Sequence, residues 1–396
     1  MFEAFAELDY RRFWIAQFIS NLGSWMQVVA QGWLVYRLTD SPFLLGFVGF
    51  ANSIPTLFLM LPGGVVADHF DRRRVVSLSQ WAQALSALFL AVAIETNQIT
   101  VWQIIAATFA VGVAISFSAP AWQAMVVDLL DDRERLPNAI AMNSLQFNLS
   151  RALGPLIAGV TLAAWGSFWC FFFNAISFLP LIFILGRIKK RQQPLAATGA
   201  ILTRLADGLR YVRTQRVVML LLGVVAAASL FGYAYVALMP MVARALFGHD
   251  DAHGLAVLMG GMGAGALTGS LALAFRMPPP AAILRAILAG IALLGIGLCA
   301  AGFVRAEAVV VAILFLCGAA GVYSVALCNT SIQQRIPDAM RGRVLSMYTF
   351  AFFAFVPFGN LIGGILAERW GYGITFAALG GALLLSAFGF LLLLRE

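Results

Sequence analysis

Histidines, cysteines and paired acids, which most often supply metal ligands and nucleophiles, are scarce in this chain of 396 residues. The three histidines are His69, His249 and His253, and the four cysteines lie singly inside apolar segments without a CxxC pair. We find neither a Ser–His–Asp set nor a phosphate-binding GxxxxGKS/T sequence. The sequence therefore predicts no catalytic residues, no metal, no cofactor and no ATP-driven pump.

Polar side chains instead form a stripe along the first long apolar segment. Their spacings of 3, 4, 3 and 4 place them on one face of a helix: Gln17, Ser20, Ser24, Gln27 and Gln31. Such groups are costly in hydrocarbon, so we expect this face to meet protein or water. Two interpretations stay open, namely lining of a wet cavity and hydrogen bonding to neighbouring helices.

Arg151 is the most informative charged residue, because it lies about halfway along a later apolar segment. Insertion scales assign such an arginine a cost of about 2.5–3.5 kcal/mol, so it usually has a partner or a wet cavity. Asn148 and Pro155 lie on roughly the same face. We expect Arg151 to face a central cavity and attract an anionic or electron-rich group; a purely structural pairing is the alternative.

The composition identifies the medium in which these side chains lie. Hydrophobic residues make up 61% of the chain and charged residues only 11%, and the mean hydropathy is +0.89. A soluble domain of this composition would aggregate, which excludes a soluble enzyme, a disordered protein and a nucleic-acid-binding domain. We therefore predict an all-α integral membrane protein. Twelve stretches are long enough to span: 13–36, 43–66, 75–95, 100–126, 139–163, 167–187, 216–240, 254–276, 281–304, 307–332, 344–367 and 374–394.

The distribution of positive charge predicts the orientation. With both termini in the cytoplasm, 20 of the 26 Lys and Arg residues fall on the cytoplasmic side. Only Arg37, Arg244, Arg305 and Arg369 then lie outside. The opposite orientation would invert this bias, so we expect a multi-pass protein with cytoplasmic termini.

The sequence also indicates an internal duplication. Residues 154–166 align without gaps with residues 359–371, and the same offset of 205 places Gly64 on Gly269. We therefore predict six-helix bundles at 1–186 and 216–396, joined by a cytoplasmic linker at 187–215 with an amphipathic segment. Two six-helix repeats around a central binding site are a transporter architecture.

The connection between the second and third spans reads GVVADHFDRRR from Gly64 to Arg74. It resembles motif A of the major facilitator superfamily, with a glycine, an acid four residues later and a basic cluster; Asp71 and His69 depart from the usual pattern. Gly64 would permit close helix approach, and Asp68 could pair with Arg72 if the turn is helical. We expect Asp128 to be a partner of Arg72 or Arg73. The expected gating residues are Gly64, Asp68, Arg72, Arg73, Asp128, Gly154, Pro155 and Arg343.

The fifth span carries Gly154 and Pro155 in GPLIAG, which resembles motif C, a feature of exporters and antiporters in the superfamily. Longer segments, such as LPNAIAMNSLQFNLSRALGP, resemble the enterobactin-exporter-like branch. The resemblance covers nearly the whole chain. It implies the major facilitator fold and export from a bacterial cytoplasm across the inner membrane, usually driven by the proton-motive force.

Polar and aromatic residues of both halves suggest an amphipathic organic cargo. The expected substrate-contacting residues are Ser24, Gln27, Gln31, Asn148, Arg151, Tyr233, Tyr323 and Thr330. No acid lies in the middle of a span, so the residues leave open whether protons are coupled to transport. We predict a monomeric exporter of a siderophore-like or drug-like molecule that works by rocker-switch alternating access. A lipid or lysophospholipid flippase and an uncoupled facilitator are the alternatives.

Overall fold

The computed structural model describes residues 3–188, 210–248 and 251–393, and these residues are almost entirely helical and contain no strand. The helices of the first part are α1 (Leu8–Thr39), α2 (Pro42–His69), α3 (Arg72–Glu95), α4 (Val101–Asp128), α5 (Leu136–Trp165), α6 (Ser167–Ser177) and α7 (Leu179–Arg187). Those of the second part are α8 (Arg216–Ala227), α9 (Ala234–Ala237), α10 (Met239–Phe247), α11 (Asp251–Phe275), α12 (Ile283–Phe303), α13 (Glu307–Arg335) and α14 (Asp338–Leu393), with a π-helix at Ala228–Gly232 between α8 and α9. The all-helical architecture is the one that lets each segment satisfy its backbone hydrogen bonds in lipid.

Ten helical segments of the described chain are long and apolar enough to cross a membrane. The last of them, Met347–Leu393, is 47 residues long and contains both the eleventh and the twelfth predicted spans. These are separated at Gly371, whose backbone is not helical (φ 74°, ψ 169°). Helix α1 has 32 residues but carries the polar stripe and is not among the ten. The described helices are thus consistent with twelve spans.

Glycine ends a span at two positions that the internal alignment pairs. Gly166 follows α5 with φ 87° and ψ 177°, and Gly371, 205 residues later, has φ 74° and ψ 169°. Positive φ is accessible to glycine at little cost, whereas other residues are strained there. The two halves of the sequence therefore use the same backbone turn at equivalent positions.

The sixth and seventh predicted spans are not the single continuous helices that the sequence suggested. α6 ends at Ser177 and α7 begins at Leu179, while the seventh span is divided into α8, the π-helix, α9 and α10. Pro180 and Pro240 explain two of these breaks. Each lacks the N–H that would bond the carbonyl four residues earlier, and its ring clashes with that carbonyl.

The chain divides into two compact units, which we call unit 1 (Met1–Thr39 and Ala51–Ala197) and unit 2 (Asp40–Phe50 and Thr198–Glu396). Helix α2 therefore begins in unit 2 and continues in unit 1. Most of the predicted linker, including its amphipathic segment, lies outside the described residues, so the boundaries at 186 and 216 stay a prediction.

One end of unit 1 contains a buried apolar core. Tyr10 and Phe13 of α1 pack there with Met125 of α4 and Leu181 of α7, and all four side chains are almost completely buried. The Tyr10 hydroxyl is also satisfied, because it donates a hydrogen bond of 2.9 Å to the Ala139 carbonyl of α5. This core fixes the helix ends from which the functional side chains of unit 1 project.

Unit 2 is held together by close backbone contact at glycines. A Cβ added to Gly265 of α11 would lie 1.9 Å from the Phe315 carbonyl oxygen of α13, and one at Gly318 would lie 2.2 Å from that of Met262. Small residues at membrane helix interfaces allow such close approach, which increases van der Waals contact. The α11–α13 pair therefore depends on the absence of side chains.

We expect Gly265→Val to destabilise the protein by about 1–3 kcal/mol, because the added side chain overpacks the α11–α13 contact. Gly389→Ala is the control, since no described atom lies within 4 Å of the added Cβ. Thermal unfolding in detergent measures both variants. Equal unfolding temperatures for the two variants would contradict the close α11–α13 packing.

Candidate functional site

The connection between α2 and α3 positions a buried ion pair. The Arg72 side chain at the start of α3 is 2% exposed, and its Nη1 lies 2.7 Å from Oδ2 of Asp128 at the end of α4, which is 12% exposed. Its Nε also donates to the Ala67 carbonyl at 3.4 Å. Removing one partner of such a pair is strongly destabilising, because the other charge stays buried. The pair thus ties the α2–α3 turn to α4.

Asp71 orders the same turn from the other side. Its Oδ1 accepts a hydrogen bond of 2.9 Å from the Arg73 N–H and caps α3, and its Oδ2 lies 2.8 Å from Nη2 of Arg73. The side-chain hydrogen bond from Arg73 lowers the pKa of Asp71. The stabilisation is therefore present at neutral pH and is lost as the pH falls through the lowered pKa. Nη1 of Arg73 reaches the Ile188 carbonyl at the end of α7.

The expected pairing of Asp68 with Arg72 is wrong for this structure. α2 ends at His69 and α3 begins at Arg72, so the two residues do not lie one turn apart on a single helix. Asp68 is exposed, and the carboxylate beside Arg72 belongs to Asp128. The sequence identified the acid and the base of the motif but not the break between the two helices.

The prediction that Gly64 permits a close helix approach is also wrong, because the close approach occurs at the preceding residue, Gly63. No described atom lies within 4 Å of a Cβ added to Gly64, whereas a Cβ on Gly63 would lie 2.4 Å from the Ser116 carbonyl of α4. Gly63 is buried and Gly64 is half-exposed. Arg343 lies within α14, and its side chain lies outside the described residues.

Gly154 and Pro155 lie inside α5 and are both buried. A Cβ on Gly154 would lie 2.4 Å from the Trp25 Cβ of α1, so glycine permits the close contact between these two helices. The same Trp25 ring packs edge-on against Phe147 with 5.8 Å between the ring centroids. This part of the fifth span therefore packs against the helix that carries the polar stripe.

The polar stripe of α1 faces protein along part of its length. Ser20 donates a hydrogen bond of 3.3 Å to Oε1 of Gln80 on α3, and Asn174 on α6 donates one of 2.6 Å to Oε1 of Gln27. Ser24 bonds the Ser20 carbonyl within its own helix. The Oε1 atom of Gln17 is buried without a hydrogen-bond partner among the described residues. Contact of Ser24, Gln27 and the half-buried Gln31 with cargo stays a prediction.

Sequence reasoning missed three amides that this packing brings into unit 1. Gln80 and Gln83 lie one turn apart on α3, and Asn174 lies on α6; all three are buried. Gln83 donates to the Ser79 hydroxyl at 3.2 Å. The signal was present, because Ser79, Gln80 and Gln83 stand together in an otherwise apolar span.

Arg151 is half-buried about halfway along α5. One guanidinium nitrogen lies 3.3 Å from Oδ1 of Asn148, and its guanidinium carbon lies 6.0 Å from the centroid of the Phe147 ring. Among the described residues, no carboxylate lies within the 4.0 Å of an ion pair with Arg151. The cation is thus held by neutral neighbours from its own helix, which leaves it able to attract an anion.

In unit 2 the expected substrate residues lie on two elements, the irregular part of the seventh span and α13. Tyr233 directly follows the π-helix, and its ring packs edge-on against Phe352 of α14 with centroids 5.5 Å apart. Tyr323 is half-buried on α13, where the Thr330 hydroxyl bonds the Ala326 carbonyl of its own helix. π-helical turns are frequent at functional sites because they displace the side chains that follow. Direct cargo contact at these positions stays a prediction.

Comparisons with known proteins identify the family of the chain. The family model described as "Transmembrane secretion effector" matches residues 2–396. The staphyloferrin A transporter of Staphylococcus aureus is 26% identical over 386 residues, covering 93% of this chain and 92% of that protein. The multidrug efflux pump Tap of Mycolicibacterium fortuitum is 26% identical over 395 residues, covering 93% and 92%.

Solved structures share the fold at low sequence identity. A nucleoside transporter NupG variant has a TM-score of 0.77 at 13% identity, covering 97% of this chain and 99% of that one. A bacterial homologue of the iron transporter ferroportin, in an inward-facing state, has a TM-score of 0.72 at 15% identity, covering 98% and 99%. These two similarities establish the fold alone.

We expect Asp128→Asn to lower the free energy of unfolding by about 3–5 kcal/mol, because it removes the carboxylate beside the buried Arg72. Asp68→Asn is the matched control and should change it by less than about 0.5 kcal/mol, since Asp68 is exposed. Thermal unfolding in detergent compares the two. Equal losses in both variants would indicate that Asp68, rather than Asp128, neutralises the arginine.

Proposed function

The chain belongs to the transmembrane secretion effector family of major facilitator transporters, and from this premise we propose that it exports an amphipathic or anionic organic molecule. It is a multi-pass membrane transporter and not an enzyme. The proposed cargo is siderophore-like or drug-like. The proposed mechanism is rocker-switch alternating access around a central site.

Arg151 is the observation that carries the proposal. A guanidinium in mid-span costs about 2.5–3.5 kcal/mol on insertion scales. Such a residue usually either pairs with another polar group or belongs to a functional site. Its described neighbours, Asn148 and Phe147, are neutral and do not compensate the charge. A carboxylate-bearing cargo would supply the missing counter-charge, and the nearby aromatic rings would bind an apolar portion.

The names of relatives support both cargo classes, since one is a siderophore transporter and another a multidrug efflux pump. Proton antiport is the proposed coupling. The resemblance of residues 154–159 to motif C, a feature of exporters and antiporters in the superfamily, supports this coupling.

The proposed location is the inner membrane of a bacterium, with both termini in the cytoplasm. The excess of Lys and Arg in the connections that this orientation places inside supports it. We propose that a monomer suffices, because each six-helix repeat pair contains a complete central site in this architecture.

Arg151→Ala should reduce efflux of an anionic amphipathic probe about tenfold or more, because a hydrogen bond to a charged group contributes about 1.5–3 kcal/mol. Arg151→Lys is the matched variant and should retain part of the rate, because lysine keeps the positive charge but lacks the planar guanidinium that donates two parallel hydrogen bonds. Flux of a polycarboxylate siderophore and of its methyl ester is measured in proteoliposomes. Equal flux of acid and ester, or full activity of Arg151→Ala, would refute anion recognition by Arg151.

The same vesicles separate the coupling schemes. Imposing a pH gradient should accelerate efflux if protons are exchanged for cargo. An uncoupled facilitator would transport down the cargo gradient at a rate insensitive to the pH gradient. A fluorescent lysophospholipid added to one leaflet tests the flippase alternative, which predicts its transbilayer movement without any soluble cargo.

A further inference from the structure

Three aromatic rings lie on a partly exposed face of α1. Gln17 and Ser20 of the polar stripe are only 8% and 2% exposed. Trp14, Phe18 and Trp25 are half-buried, and their spacings of 4 and 7 residues place them on one face of the helix. The Trp14 and Phe18 rings stack with centroids 5.6 Å apart and an interplanar angle of 18°. Helix α1 therefore leaves aromatic surface accessible next to its buried amides.

Helix α5 extends this aromatic surface. The Trp14 Nε1 donates a hydrogen bond of 3.1 Å to the Met142 carbonyl of α5, and the Trp25 and Phe147 rings meet at 71°. The Phe147 side chain is 46% exposed. An edge-on pair covers the face of one ring at most and leaves π surface for a further ring. We call the four side chains of Trp14, Phe18, Trp25 and Phe147 the ring face.

Arg151 lies on the same side of α5 as the ring face. Phe147, Arg151 and Gly154 follow one another at spacings of four and three residues, so they are neighbours on the helix surface. Both Phe147 and Gly154 contact Trp25 of α1. The guanidinium carbon of Arg151 lies 6.0 Å from the centroid of the Phe147 ring. One planar molecule can therefore touch the ring and the cation at the same time.

Three kinds of occupant differ in how well they match this surface. Acyl chains of the bilayer would cover the rings but leave the mid-span guanidinium without a counter-charge, because lipid headgroups lie at the interface. An aliphatic acid would neutralise the cation, but its hydrocarbon part would gain from burial alone. An aryl acid gains from both groups. Its acid group pairs with the guanidinium fork, and its ring adds an aromatic contact that contributes beyond the area it buries.

We propose that the ring face and Arg151 form an aryl-acid subsite in unit 1, which selects cargo that carries an anionic group directly on a planar aromatic ring. The inference rests on the proposed function and narrows its cargo from an anionic amphipathic molecule to an aromatic acid. Phe147 determines the preference for a ring, and Arg151 anchors the anion. Trp25 positions the Phe147 ring through their edge-on contact.

Two sulfonates of equal charge test the subsite. Naphthalenesulfonate carries its acid on an aromatic ring, and its fully hydrogenated analogue, decalinsulfonate, keeps the acid and the carbon skeleton but has no π system. Binding of each to the protein in lipid nanodiscs is measured by titration calorimetry, with empty nanodiscs subtracted. The wild-type protein should bind naphthalenesulfonate about three- to tenfold more tightly than decalinsulfonate.

Variants assign the preference to the ring and the affinity to the charge. Phe147→Leu should abolish the preference because it keeps an apolar side chain without a ring, whereas Phe147→Tyr should retain it. Arg151→Ala should weaken binding of both sulfonates about tenfold or more, since both carry the anion. Phe109→Leu on α4 is the matched control, because Phe109 is 47% exposed and does not belong to the ring face. This control should leave the preference unchanged.

Equal binding of the two sulfonates by the wild-type protein, a measurement that requires no variant to fold, would overturn the subsite. An unchanged preference in Phe147→Leu would also overturn it. A protein that exports a polycarboxylate siderophore but binds neither sulfonate would overturn the subsite and leave the proposed function standing. A protein that exports no anionic probe in proteoliposomes would refute the proposed function and, with it, the subsite.

Discussion

Hydrocarbon offers no hydrogen-bond partner to a peptide group or a charge, and the described structure follows from that constraint. Each span is helical because only then are its backbone groups satisfied locally. At the edge of the third span the buried Arg72 is paired with Asp128 across 2.7 Å. Arg151 differs from Arg72, because its described neighbours are neutral.

Lipid tails are as apolar as the side chains, so the hydrophobic effect does not drive helices together in this medium. Helices associate instead through close van der Waals packing. Glycine provides the fit at Gly63, Gly154 and Gly265, each facing an atom of another helix at a distance that no side chain would allow. Proline has the opposite effect. Pro180 and Pro240 interrupt the sixth and seventh spans where a hydrogen-bond donor is missing.

Helix α2 makes close contacts at both of its ends. Its first turns belong to unit 2, and the rest belongs to unit 1. At its other end, the connection to α3 contains the ion pair with α4. A single helix therefore carries both a glycine-lined contact with α14 and the charged turn that resembles motif A.

The sequence by itself determined the medium, the helical class and the family, because composition and span length depend on no neighbour. It also aligned Gly166 with Gly371, and the structure showed that both are positive-φ turns. Tertiary structure decided which helix each polar face meets. Periodicity gives the face of a helix but not its partner, so the burial of Gln80 and Asn174 was not predicted. Composition also does not distinguish neighbouring glycines, and only the packing of α2 on α4 shows that Gly63 rather than Gly64 makes the close contact. The expected pairing of Arg72 with Asp128 is confirmed, but the break between α2 and α3 that separates Arg72 from Asp68 came from the structure.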